Sequence, residues 1–209
     1  MHPVTNDIES AFSEIERCYS FRLPPLFREI WRLGFCSGDT FLIMPDMEWM
    51  PLQDIIDYRF EDYQLPGLVP FAFTAGGDLW CWQAVPDALA EPHVVECPHD
   101  CEEGSVYAPD FQTAVYRHLL EAAAGQHIAE QDLLDEVELI RQCCDRLRSL
   151  LSQRQAGKLD EVLSRSPQSA VLPARRPTRW HFLLSREEGR QLRADFPATT
   201  FRWMTPPTS

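Results

Sequence analysis

Apolar residues recur along this chain with two different periods, and the changes of period mark its elements. Ile8, Phe12, Ile15 and Tyr19 fall three or four apart on one helical face, and Asn6 with Glu9 forms a capping box at its start. Leu23-Pro24-Pro25 breaks the chain. Proline is tolerated in a first helical turn, so a second helix follows, with Phe27, Ile30 and Trp31 inward and Gly34 as its stop. Residues 41–44 and 49–52 are short apolar runs split by Pro45-Asp46, which predicts two strands or one bent strand. Leu52, Ile55, Ile56 and Phe60 return to helical spacing.

The stretch around which the rest is organised is 65–82, LPGLVPFAFTAGGDLWCW. Val69, Phe71 and Phe73 alternate with Pro70 and Ala72, and Leu79 and Cys81 alternate with Trp80 and Trp82, the two-residue period of strands. Thr74-Ala75-Gly76-Gly77-Asp78 lies between them, and its adjacent glycines supply the positive φ of a tight reversal, so the stretch is a β-hairpin. Another strand is predicted over 93–97, and 98–105, PHDCEEGS, reads as a polar loop rich in acids. Asp110 caps a helix over 111–124 with Phe111, Val115 and Leu119 at core spacing and Gly125 as its stop.

Beyond Gly125, Leu133, Val137, Ile140, Cys144, Leu147 and Leu151 alternate steps of four and three, an a/d seam on a long helix. Three heptads are near the minimum for a coiled coil, so the seam is expected to pack on the protein itself, or on a short helix around Leu159, Val162 and Leu163, in preference to a dimer partner. Residues 167–177, with Ala174-Arg175-Arg176, read as an exposed linker. The tail gives a strand over 180–184, a capping box of Ser185 and Glu188, a short helix to Phe196 and a strand over 201–204. This is a small βαβ-like appendage, either added to the main sheet's edge or standing as its own unit.

Composition sharpens the picture. At 209 residues and 44% hydrophobic, the chain buries one sizeable core and a small second unit. No run approaches the roughly 18 apolar residues of a membrane span, and MHPVTNDIES has neither a basic nor an apolar leader region, so a cytoplasmic location is expected. Seven cysteines at irregular spacings then read as thiols. Residues 1–125 hold 6 Arg and no Lys against 21 acids, a net of −15, whereas 126–209 hold 13 bases against 11 acids, a net of +2. An acidic first part repels nucleic acid and anionic lipid and speeds encounter with basic proteins; it also serves plain solubility.

Candidate chemistry is sparse. Cys97, His99 and Cys101 in CPHDC offer zinc-ligating atoms, with a fourth ligand required from His93 or His118, but structural zinc sites normally carry two paired halves. Ordinary thiols at a strand end, with no metal and no cofactor, are the expectation. Pairing Cys101 or Cys81 with His99 as a nucleophile is opposed by Asp100, Glu102 and Glu103, which raise a thiol pKa. Gly76-Gly77 lacks the lysine and hydroxyl residue of a phosphate loop. Trp80 and Trp82 share one strand face, and that face, if exposed, would anchor a protein partner. The candidate partner-binding residues are therefore Trp49, Asp62, Tyr63, Trp80, Trp82, Asp100, Glu102 and Glu103.

PFAFTAGGDLWCW, then HVVECPHD from His93 and YAPDFQTAVYRHLLE from Tyr107, resembles in order the SUKH superfamily, which includes a yeast cell-wall regulator and many bacterial immunity proteins. Its members show a Pro-Phe-Ala strand, a Gly-Gly-Asp turn, an aromatic strand, a His-Asp at the end of the next strand and a closing helix. This chain has Ser37-Gly38 where members usually carry an Asn-Gly turn. The resemblance covers residues 1–125 and implies an α+β fold, a central mostly antiparallel sheet with helices packed on it; 126–209 is then an extension. It also implies binding without catalysis. The leading expectation is an immunity protein, monomeric, that neutralises a cognate protein toxin of basic, nuclease type by direct association. The alternatives are a regulatory scaffold with many partners and a small metal-dependent hydrolase using His99.

Overall fold

The computed structural model describes residues 5–34, 47–59, 67–84, 90–172, 178–196 and 199–204. The expected strand over 41–44, the turn at Ser37-Gly38, Phe60, Asp62 and Tyr63 lie outside these residues. In chain order the elements begin with α1 (Thr5–Tyr19), α2 (Pro25–Arg32), β1 (Glu48–Trp49), α3 (Leu52–Asp57), β2 (Leu68–Phe73) and β3 (Leu79–Gln83). Then come β4 (His93–Cys97), β5 (Glu103–Ala108), α4 (Phe111–Ala123), α5 (Glu130–Leu147) and α6 (Gln153–Leu163). The last are β6 (Gln168–Leu172), β7 (Thr178–Phe182), α7 (Arg186–Ala194) and β8 (Thr199–Arg202). The fold is α+β.

Two compact units divide the chain. Among the described residues, one holds 5–34, 47–59, 67–84, 90–114 and 199–204, the other 115–172 and 178–196. In the first unit a six-stranded sheet runs β1-β2-β3-β4-β5-β8, every neighbouring pair antiparallel. β3 is interior, and Leu79, Trp80, Cys81 and Trp82 are all buried on it, so neither face alternates with polar residues. Phe71 is the bulged residue of β2, where the register shifts between Pro70 and Ala72, and its ring stacks on Trp82 at 4.6 Å. Phe27 of α2 meets Trp82 edge-on at 4.6 Å and stacks on Trp49 at 5.4 Å, and Phe111 closes the cluster against Phe71 at 5.6 Å. Aromatic pairs in these offset and edge geometries add to the area they bury.

α2 begins at Pro25, as its sequence requires, and α1 begins at Thr5, ahead of the expected cap at Asn6. Arg28 and Arg32 bind α1 through Glu16 and Glu9, each at 2.7 Å. Residues 49–52 end as a short strand and the start of α3, because Met50-Pro51 intervenes and Pro51 is the N-cap.

The second unit holds the helical hairpin of α5 and α6. Leu133, Val137, Ile140, Cys144, Leu147 and Leu151 are all buried, as are Leu159, Val162 and Leu163 of α6. Arg148 grips Asp160 with two bonds of 2.9 Å, and Arg141 donates to the Leu163 carbonyl at 2.6 Å. Capping boxes start α6 at Ser152 with Gln155 and α7 at Ser185 with Glu188.

Three expectations are corrected. The segment 98–105 is a loop only as far as Glu102, after which β5 begins; Glu103-Gly104-Ser105 is polar yet pairs with β8 along its length, and Ser105 pairs with β4 as well. Gly104 is required there, since a Cβ would lie 2.6 Å from the Glu96 carbonyl and 3.1 Å from the Phe201 ring. The segment read as a linker over 167–177 begins with β6, which pairs with β7 in a separate two-stranded sheet. The tail is therefore not a βαβ unit: β7 belongs to that small sheet, and β8 joins the edge of the main one.

Candidate functional site

Two reversals meet at one end of the main sheet. In the first, between β2 and β3, the Thr74 N–H donates to the Asp78 carbonyl at 2.9 Å and the Gly77 N–H to the Thr74 carbonyl at 2.9 Å. Gly77 has φ +94, which a side chain would strain, and its Cα faces the ring of His99. The second reversal runs from Pro98 to Glu102, with the Cys101 N–H donating to the Pro98 carbonyl at 3.3 Å. The register Leu79↔Cys97 between β3 and β4 sets the two turns side by side.

Asp78 joins them. Its carboxylate accepts from the His99 backbone N–H at 2.9 Å and sits 2.8 Å from the His99 ring Nδ1. The backbone bond first, then the ring, hold its carboxyl below the usual carboxylate range. An ionised carboxylate only accepts, so the His99 ring donates to it from Nδ1. Asp100, Cys101, Glu102 and Glu103 are exposed around it. Asp100, hydrogen-bonded to the Cys101 thiol, raises its pKa, and the charges of Asp78 and Glu103 push the same way. The histidine is thus oriented, but the neighbouring sulfur is held as a thiol, the unreactive form.

Cys97 does not share this surface. It is fully buried beside Cys81, whose thiol burial pushes well up. Cys97, His99 and Cys101 therefore point to different environments, and among the described residues no three His, Cys, Asp or Glu side chains gather as a metal requires. In the second unit a cavity of about 300 Å³ is lined by Arg141, Cys144, Arg148 and Asp160, but its arginines are spent on Asp160 and the Leu163 carbonyl.

Of the residues singled out for a partner, Asp100, Glu102 and Glu103 come together on this end of the sheet. Trp80 and Trp82 do not join them: at 7% and 0% exposure they are core, and Trp49 is half-buried against Phe27. No exposed tryptophan face exists on β3. Sequence reasoning missed Asp78, whose role depends on a residue 21 positions away, and Trp203, whose indole Nε1–H donates to the Cys101 carbonyl at 2.8 Å. The only signal for Trp203 was a large aromatic at the end of a polar tail.

The SMI1 / KNR4 family model (SUKH-1) matches residues 9–117, from α1 through the hairpin and β5 into α4. The chain belongs to the SMI1 / KNR4 family (SUKH-1). This is a family of binding domains known in immunity-type proteins. No curated protein and no solved structure matches the chain. The match ends inside α4, so α5 to β8 of this SUKH-1 protein lie outside it. No described helix is long and apolar enough to cross a membrane.

Proposed function

We infer that this SUKH-1 protein is an immunity protein that binds a cognate protein toxin and neutralises it by occlusion, without chemistry of its own. The observation that carries this reading is the family membership of residues 9–117. The net charge of −15 over residues 1–125, with Asp100, Glu102 and Glu103 exposed on one end of the sheet, favours a basic partner such as a nuclease-type effector. Charge of this kind raises the rate of encounter more than it deepens affinity. The protein works in the cytoplasm, as a monomer, and takes neither nucleic acid nor lipid.

The test is coexpression with the toxin encoded beside the gene. Growth is rescued by the wild-type chain, and the association rate falls as salt rises. A toxin that kills equally with and without the chain rejects the reading, whereas a salt-independent rate rejects only the steering by charge.

A further inference from the structure

The sixth strand of the main sheet is supplied from outside the family match. β8 returns from the far end of the chain and pairs with β5 from Glu103↔Arg202 to Val106↔Thr199. The edge of a sheet offers N–H and C=O groups that any extended segment can satisfy. Most side chains of β8 contribute little to its hold, since Thr199, Thr200 and Arg202 are exposed. The hold is concentrated at one end. Trp203 is 2% exposed, its backbone N–H donates to the Glu102 carbonyl at 2.9 Å, and its indole donates to the Cys101 carbonyl at 2.8 Å. Phe201 lies over the bare backbone of Gly104, and Arg202 reaches the Glu102 carboxylate at 3.5 Å.

We propose that the β5 edge, with the seat of Trp203, is a docking site for an extended partner segment carrying an aromatic–basic–aromatic run, and that residues 199–204 are its resident occupant. The chemistry of the occupant follows from the site. Gly104 leaves room for a ring, the Cys101 and Glu102 carbonyls take the two donors of an indole-bearing residue, as they take those of Trp203 now, and Asp100, Glu102 and Glu103 supply negative charge. The cation comes with the strand, as Arg202 does now. Two aromatic anchors and main-chain bonds are a pattern that a foreign segment can reproduce, which the doubly buried β3 does not allow. A tethered tail competes at an effective concentration of order millimolar, so it excludes weak strands and yields only to a tight one. The proposal stands whether or not the partner is a toxin.

The test uses the full chain and a labelled peptide of sequence Thr-Thr-Phe-Arg-Trp-Met, read by fluorescence anisotropy. Trp203→Ala, which frees the seat, binds the peptide at least about tenfold more tightly than wild type. Replacing the peptide's Phe and Trp by Ala abolishes binding, and Glu102→Lys added to Trp203→Ala weakens it. A folded Trp203→Ala chain that binds no better than wild type overturns the proposal. If that variant does not fold, hydrogen exchange of the wild type decides. Amides of 199–204 exchanging at least about tenfold faster than those of β3 support an exchangeable strand, and equal protection overturns it. A wild-type dimer that Trp203→Ala dissolves identifies a second copy's tail as the occupant and overturns the foreign partner.

Discussion

Asp78 and His99 share two contacts 21 residues apart in sequence: one carboxylate oxygen takes the histidine's backbone N–H at 2.9 Å and faces its ring Nδ1 at 2.8 Å. The pair fastens the β2–β3 turn to the β4–β5 turn and fixes Nδ1 as the ring nitrogen that donates to the carboxylate. Asp78→Ala should cost about 1–2 kcal/mol by urea denaturation, the scale of charge-assisted hydrogen bonds at a partly exposed site.

The same pair sets an acid dependence. The folded-state pKa of Asp78 is lowered, so its contribution is complete above the unfolded value of about 3.9 and is lost as pH falls through the folded one. Urea midpoints of wild type and Asp78→Asn should therefore converge below about pH 4. A gap that does not narrow in acid would mean that the carboxylate charge is not what binds the two turns.

Glu91 has the opposite sign. Burial raises its pKa and nearby Asp110 adds to the rise, although the Phe111 N–H at the start of α4 donates to it at 2.9 Å and opposes the shift. The fold thus favours the protonated form, and its contribution is full below the unfolded value of about 4.3 and lost as pH climbs through the folded one. Glu91→Gln keeps the acceptor without the charge. Its melting temperature should match wild type near pH 4 and exceed it by pH 7, whereas Glu91→Ala, which orphans the N–H, should be destabilised throughout.

Much of this fold is written locally. The hairpin of β2 and β3, the start of α2 at Pro25, the Asp110 cap that accepts from the Thr113 N–H at 2.6 Å, and the Ser185–Glu188 box all follow from short-range rules, and all are present. What escapes local reading is pairing. β5 opens with Glu103-Gly104-Ser105, a sequence with no strand preference, and becomes a strand because β4 and β8 lie on either side of it. The candidate site divides in the same way. Exposed acids are legible as a polar loop, but period-two alternation could not tell whether the Trp80 and Trp82 face was wet. Phe27, Phe71, Phe111 and Tyr107 cover it.

Because Trp82 is core, its removal should act on stability. Trp82→Ala should cost about 3–5 kcal/mol in unfolding experiments, as a large aromatic lost from a packed cluster does. At temperatures where the variant is still folded, its association with a partner should be unchanged, which separates a packing role from a contact role.

The α5 seam is covered within one chain, Val137 and Ile140 each being 3% exposed. Size-exclusion chromatography with light scattering should give the single-chain mass. A concentration-dependent dimer would require another surface to be responsible.

The central claim is that this SUKH-1 protein acts by occupying its target. Titrating the cognate toxin with the chain and following the toxin's activity tests that claim most directly. Inhibition should grow linearly and end at one equivalent, with the toxin recovered intact and active on separation. Loss of activity at a small fraction of an equivalent, or a toxin left chemically altered, would contradict it.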